Sequence, residues 1–527
     1  MSRSRTGRYL LALALLLGLA LRVPGWFTQD VKDDWQTFEP DEGQHVHAAT
    51  HRLNDLWSGP PVGDYRSAPW NVRGYGHLMA YAAWGWYTVV GRPPSFRDLL
   101  MLGRQFSTAF ALLLIGVVYA AGRAAGLDPP GAGTAALLLA GCDAHATISH
   151  YALPAAGYVF WCYLAVLGAL RLARRPPGLT ALAWLAVGAG GALAFKFDVL
   201  PLAWGGLYLL WLTLAERRLP GWYVPLGVAG VVATVAAFWW GWPPESIGKT
   251  FATLRELNAG GVPLDDHWVD NLIVYPAGVL AGVGLPVFAL AAYGLYRLLV
   301  GADAGAGGGG KAEVAGRTAL LVYLVGWLLS EFAVRWSVDT AFIRRVNVFM
   351  PAVCLLAAYA LVRLRRRRWL PPAVVAYTLA FAVVGQSNHW FDTRYAMRDY
   401  VNHELPADAR VEISGYVSLQ GLRKTRFYGH GEWDYLVLHE TYYSRYWKSM
   451  TTPFGLPECC AGVYNCRGED ECRYFQALLG GQAPGVRLRR AFRPLRLFPE
   501  RIAYAHWFGN YETFLGSTLV FERTGER

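Results

Sequence analysis

Residues 271–296 run without a single Asp, Glu, Lys or Arg. So do 369–390, 219–243 and 178–195, and shorter charge-free runs fill 105–122, 151–170, 199–215 and 346–362. Three more apolar segments, near 9–25, 129–148 and 317–335, carry charge only toward one end. About 20 mostly apolar residues cross the roughly 30 Å hydrocarbon core of a bilayer as a helix. The sequence therefore predicts a polytopic helical membrane protein with about eleven spans. The first run follows Arg3, Arg5 and Arg8. Arg22, Pro24 and Trp26 stand where a cleaved leader would have small residues, so it reads as an uncleaved anchor.

Composition agrees, with 54% hydrophobic and only 17% charged residues. The formal net charge of +11 raises nucleic acid as a partner, but the positions of the bases decide otherwise. With a cytoplasmic N-terminus and 74–91 lying along the surface, fourteen bases fall in cytoplasmic loops: Arg123; Arg171, Arg174 and Arg175; Arg217 and Arg218; Arg297, Lys311 and Arg317; Arg363 and Arg365 to Arg368. Beyond residue 122 the opposing loops hold six: Lys196, Lys249, Arg255, Arg335, Arg344 and Arg345. Counting 74–91 as a span would exchange the two sets. The positive-inside rule favours the first arrangement. The basic excess is then a topology signal, and no nucleic-acid partner is expected. The expected location is a bacterial-type inner (plasma) membrane, with the N-terminus cytoplasmic and the C-terminus outside.

The long outer loop 27–100 reads as two helical stretches, near 41–57 and 75–90. The "GWPPES" at 241–246 breaks a helix, and Gly-rich 301–310 is a flexible linker. After residue 390 charge rises and apolar runs shorten. Helices are predicted at 392–404 and 469–479, and strands near 409–414, 434–439, 485–491 and 517–522. The fold class is thus an all-α polytopic membrane domain, 1–390, followed by a small α/β extracytoplasmic domain, 391–527. Cys459, Cys460, Cys466 and Cys472 lie close together in the latter. An oxidising exterior permits one or two disulfides among them, with zinc as the other reading. Cys142, Cys162 and Cys354 lie in spans as small apolar residues.

Three groups carry candidate chemistry. Phe38-Glu39-Pro40-Asp41-Glu42 sits in the first outer loop. One reading is an N-terminal helix cap, since acids in a first helical turn suit the macrodipole; the other is a carboxylate held there as a general base. Lys196, Arg344, Arg345 and Arg73 stand at outer ends of helices. Each is suited to snorkelling toward headgroups, but several on one side can stabilise a departing phosphate. Asp143, His145 and His150, between two spans, read as a second acid/base or metal group or as structural polar residues; Glu331 is similarly open. No P-loop, GxSxG, HExxH or dinucleotide fingerprint occurs.

Taken in order, Pro40-Asp41-Glu42, Tyr75-Gly76-His77-Leu78, "SHYALPAAGYVFW" at 149–161, "LAFKFDVLPL" at 193–202, "RRVNVFMPAVCLLAA" at 344–358 and "FDTRYAMRDYVNHELPADARV" at 391–411 resemble the GT-C superfamily of integral-membrane glycosyltransferases. The nearest members are the protein O-mannosyltransferase-like and lipid A aminoarabinose transferase families. The resemblance implies transfer of a hexose or pentose from a polyprenyl-phosphate carrier to a glycan, lipid or protein acceptor on the non-cytoplasmic side. It implies Asp41 as the base. It puts Glu42, Arg73, His77, Lys196, Arg344 and Arg345 where the family has helix-cap, donor or phosphate-binding groups. A divalent metal is left open. This chain reads Leu153-Pro154-Ala155-Ala156 where the family often has an Asp in the second outer loop; Asp143 and His150 are the substitutes at hand. The other readings are a lipid or sugar flippase, which would show ionisable residues in mid-membrane and repeated halves, and a sensor or assembly factor whose outer domain binds a partner.

Overall fold

The computed structural model describes residues 2–26, 42–43, 45–46, 49, 74–92, 94–173, 178–196, 199–240, 248, 252, 268–300, 320–336, 346–364, 366–417, 419, 421–429, 431–443, 459, 468–508 and 515–524. Among these, the membrane part comprises α1 (Arg3–Arg22), α2 (Gly74–Val90), α3 (Phe96–Ala124), α4 (Pro129–Ala140), α5 (Asp143–Ile148), α6 (Pro154–Leu172) and α7 (Leu179–Lys196). It continues with α8 (Leu200–Leu210), α9 (Tyr223–Trp239), α10 (Trp268–Val283), α11 (Leu285–Val300), α12 (Gly326–Trp336), α13 (Met350–Arg363) and α14 (Leu370–Trp390). Among the described residues each charge-free run is mainly helix, because lipid leaves the backbone no partner other than itself.

Five helices are long and apolar enough to cross a membrane, and a sixth span arises if one bent pair counts as one. The count of about eleven is therefore not reproduced by length and hydropathy among the described residues. Two runs differ from the prediction in kind. Residues 129–148 are not one helix: the chain breaks at Gly141 and Cys142, and α5 starts afresh at Asp143. Residues 271–296 fall in α10 and α11, which are bent by 119°. Gly284 makes that corner at φ +82°, a conformation that suits glycine. The segment predicted to lie along the surface is α2, whose 17 residues span about 25 Å.

α6 sits at the centre of the bundle, with most of its residues buried. Gly168 of α6 and Gly188 of α7 leave no room for a Cβ against the opposing backbone, at Leu185 N and Ala165 N respectively. Small residues let membrane helices approach this closely, and packing takes over from the hydrophobic effect.

Only Phe391 and Asp392 separate α14 from α15 (Thr393–His403), which opens the C-terminal part. Asp392 caps α15 by accepting the Arg394 N–H at 2.9 Å, and it pairs with the buried Arg394 guanidinium at 2.6 Å. There follow β1 (Val411–Ile413), β2 (Arg426–Phe427), β3 (Tyr435–His439), α16 (Glu440–Tyr443), α17 (Glu469–Leu479), β4 (Val486–Phe492), α18 (Pro499–Phe508) and β5 (Thr518–Arg523). The five strands form one mixed sheet in the order β2-β1-β3-β5-β4. β1 pairs parallel with β2 and β3, and β5 pairs antiparallel with β3 and β4. Alternation along β3 sends Val437 to one face, with Met397, Val401 and Ile413, and Leu436 and Leu438 to the other, with Phe475 and Leu478. α15 covers the first face and α17 the second. Burial, reinforced by Arg394, pushes the His439 imidazole well below its ordinary pKa. Its Nδ1 accepts the Thr441 N–H, as a neutral ring can.

Cys459 and Cys472 form a disulfide, with Cα atoms 5.7 Å apart; Cys460 and Cys466 lie outside the described residues. The bond ties the buried Cys472 of α17 to the chain 13 residues before it. Reduction should lower the stability of this domain by about 2–5 kcal/mol, the usual range for a native disulfide in a small secreted domain. Thermal unfolding of the detergent-solubilised protein with and without reductant reads this directly. Identical transitions would show that the bond contributes nothing.

Candidate functional site

The acid pair of the first loop is anchored through its second member. Glu42 is buried, and its carboxylate takes two parallel hydrogen bonds from Arg104: Nε to Oε1 at 2.9 Å and Nη2 to Oε2 at 2.9 Å. Bidentate guanidinium–carboxylate pairs fix orientation as well as charge. Glu42 Oε1 also accepts the backbone N–H of Ala152 at 2.7 Å, so the segments around Glu42 and Ala152 meet on one carboxylate. Glu42, His45, Val46 and Ala49 are all helical and buried. Their spacing places them along one helix face.

α3 supplies the matching surface. A capping box starts it: Ser95 Oγ accepts the Asp98 N–H at 3.1 Å, and Asp98 accepts the Ser95 N–H at 2.9 Å. That start sets the register of Arg104, Ser107 and Thr108, which share a face. Ser107 donates to the Leu153 carbonyl and Thr108 to the Ser149 carbonyl, each at 3.2 Å. Trp26, at the end of the first apolar run, donates its indole N–H to Thr108 at 2.9 Å. Segment 149–153 is thus held at three points by groups from α3 and the first loop.

A second cluster lies along α6. Lys196 ends α7, half-buried, with its ammonium 4.8 Å from the centre of the Tyr158 ring. The Tyr158 hydroxyl donates to Glu331 of α12 at 2.9 Å, and the Trp327 indole donates to the same oxygen at 3.1 Å. Lys196 and Glu331, read separately in the sequence, are therefore joined through one tyrosine. One helical turn further along α6, Tyr163 donates to the Val348 carbonyl and accepts the Ala352 N–H, each at 3.0 Å. This fastens the start of α13 to the central helix.

A third cluster surrounds Asp143. Its carboxylate is fully buried, pairs with Arg501 of α18, and accepts from Gln386 Nε2 of α14 at 2.6 Å. Gln386 Oε1 in turn accepts from His150 Nε2. The His150 and His389 rings lie 4.8 Å apart. Both substitutes for the missing second-loop acid are thus occupied in a buried network. Asp41, Arg73, Arg344 and Arg345 lie outside the described residues, as does the side chain of His77, whose backbone belongs to α2. Among the described residues no group of three or more His, Cys, Asp or Glu is placed to hold a metal ion.

No family model matches the sequence, and no curated protein does. Solved structures do match. ArnT from Cupriavidus metallidurans bound to undecaprenyl phosphate is 12% identical, covers 97% of this chain and 97% of its own, and has a TM-score of 0.49. The oligosaccharyltransferase AglB from Archaeoglobus fulgidus, in complex with an inhibitory peptide and a dolichol-phosphate, is 13% identical over 98% of this chain and 88% of its own, with a TM-score of 0.48. The arabinofuranosyltransferase AftD from Mycobacteria is 13% identical over 100% of this chain and 42% of its own, with a TM-score of 0.40. These are the proteins the chain is similar to, and at these identities and TM-scores the likeness carries no conclusion about this chain.

Sequence reasoning missed Arg104, Tyr158, Gln386 and Arg501. Arg104 had a signal: a charge at the very edge of a charge-free run is costly unless paired, and the nearest unexplained acids lay in the first loop. Tyr158 and Gln386 had none, since both fit an apolar helix without comment.

Proposed function

We propose that this chain is a membrane glycosyltransferase that moves a sugar from a polyprenyl-phosphate carrier to an acceptor on the extracytoplasmic side. Undecaprenyl phosphate, the lipid held by the ArnT neighbour, is the carrier class in question. One observation supports the reading most: Glu42 is committed to Arg104 and Ala152, so the base role in Pro40-Asp41-Glu42 falls to Asp41. Asp41 removes the proton from an acceptor hydroxyl or amine. The oxygen or nitrogen attacks the anomeric carbon, the bond to the carrier phosphate breaks, and the configuration inverts. Lys196, with Arg73, Arg344 and Arg345, stabilises the polyprenyl phosphate that leaves, as fixed cations do for developing charge. His77 contributes to donor binding.

Buried ionisable groups such as Arg22 and Asp143 are what a flippase reading would point to. The two readings part on covalent chemistry. Purified protein in vesicles with a labelled polyprenyl-phosphate sugar should release free polyprenyl phosphate as acceptor becomes labelled. A deletion strain should accumulate the sugar-loaded carrier, seen by lipid mass spectrometry. Carrier that crosses the bilayer intact, or an unchanged lipid pool, overturns the transferase.

The orientation rests on the fourteen-to-six distribution of bases. Reporter fusions after residues 95, 175 and 400 should read outside, inside and outside. A cytoplasmic signal at 400 would move the C-terminal domain away from the proposed chemistry and reverse the assignment of sides.

A further inference from the structure

We infer that Arg501, on the C-terminal helix α18, is a positioning residue for the first-loop acids: it acts through Asp143 on the segment 149–153 that holds Glu42. The inference deepens the transferase reading and rests on it for its catalytic half.

The linkage starts at the corner between α10 and α11. A broken helix in an apolar setting leaves backbone groups that need partners. Glu500 accepts the Leu285 N–H at 2.9 Å, at the start of α11, and receives the Tyr377 hydroxyl at 2.6 Å. Its neighbour Arg501 donates Nε to the Ala281 carbonyl at 2.5 Å, in the last turn of α10. An acid thus sits at a helix start and a base at a helix end, the signs that suit the two dipole ends. α18 is thereby seated in the membrane part by two opposite caps.

From this seat the Arg501 guanidinium reaches Asp143, the first residue of α5. Asp143 and Gln386 are bonded, and Gln386 is bonded in turn to His150 and to Thr147 Oγ1 at 3.0 Å. Segment 149–153 is therefore fixed on one side by α18 and α14. On the other side its Ser149 and Leu153 carbonyls and its Ala152 amide are fixed by Thr108, Ser107 and Glu42. The path from Arg501 to Glu42 is a chain of buried polar contacts with one short helix in the middle. Removing the guanidinium leaves a buried carboxylate without its cation, and α5 must shift to resolvate it. The shift is passed to the residues that hold Glu42.

The test compares Arg501→Met, Glu500→Gln, Asp143→Asn and the double variant Arg501→Met/Asp143→Asn in the full-length protein. Glu500→Gln loosens α18 without touching Asp143, so it reports a merely structural role. Hydrogen–deuterium exchange of the peptide covering 149–153 should accelerate about tenfold or more in Arg501→Met and recover in the double variant, which removes both charges. In Arg501→Met, kcat per folded protein should fall by about 10²-fold, the scale of a misplacement near 1 Å, with KM for the donor unchanged. Glu500→Gln should lose thermal stability but keep its kcat. Unchanged exchange at 149–153 in Arg501→Met overturns the mechanical link. Faster exchange with undiminished kcat overturns the catalytic half, as do parallel losses of kcat in Arg501→Met and Glu500→Gln. Wild-type protein that transfers no sugar overturns the transferase reading, and the exchange data then decide the mechanical link alone.

Discussion

Asp41→Asn should lower turnover by about 10²–10⁴-fold, the usual contribution of a general base, while donor binding survives. Asparagine keeps the shape and the hydrogen-bonding reach of aspartate but cannot take a proton. Single-turnover transfer and equilibrium binding of the polyprenyl-phosphate sugar separate the two effects. Lys196→Ala is the contrasting variant. Its ammonium lies over the Tyr158 ring at the C-terminal end of α7, and its loss should weaken donor binding, transfer or both. Near-wild-type transfer by Asp41→Asn would remove Asp41 from the mechanism. Equal loss of donor binding in both variants would mean damaged folding instead of two roles.

The largest effect on stability should come from Arg104→Met. Removing one partner of a buried ion pair costs about 3–5 kcal/mol, because the remaining charge has no water to return to. That is a large part of the roughly 5–15 kcal/mol that holds a typical domain together. The Glu42 carboxylate would be left with the Ala152 N–H among its described partners at Oε1. Folded yield in detergent and the thermal midpoint should both fall sharply. Arg104→Met/Glu42→Leu should recover much of the loss, since apolar replacements of buried pairs are often neutral. It should not recover transfer, because the carboxylate that joins Arg104 to the Ala152 segment is gone. A single Arg104→Met variant as stable as the wild type would show that the pair anchors nothing.

Much of the helical layout was legible because lipid imposes a one-dimensional rule: a stretch without charge becomes a helix. The C-terminal strands fell near their predicted places for a similar reason, since Tyr435–His439 and Thr518–Arg523 are rich in β-branched and aromatic residues. What escaped was geometry within an apolar run. Hydropathy continues unbroken through Gly284-Leu285-Pro286, so the bend of 119° has no polar signature; only the glycine–proline spacing hinted at it. α18 escaped because "PERIAYAHWF" has no strong pattern of its own, and its partners lie in helices far back in the chain. The site was legible as residue types and not as pairs. Glu42 was read as catalytic beside Asp41, or as a helix-cap, donor or phosphate-binding group, yet its partner Arg104 is 62 residues away. Asp143 was read as a spare acid, yet Arg501 is 358 residues away. No local spacing encodes contacts of that range.

The reciprocal caps on the α10–α11 corner also carry a consequence for synthesis. Leu285 leaves the ribosome 215 residues before Glu500, the side chain that satisfies its amide. At roughly 5–20 residues per second, the corner waits on the order of 10–45 s for its cap. During that interval the exposed ends of the broken helix must be sheltered by the insertion machinery or by headgroup water. The corner is therefore capped late, by a helix made 215 residues after it. A chain cut short before residue 499 keeps every apolar run but lacks both caps of the α10–α11 corner.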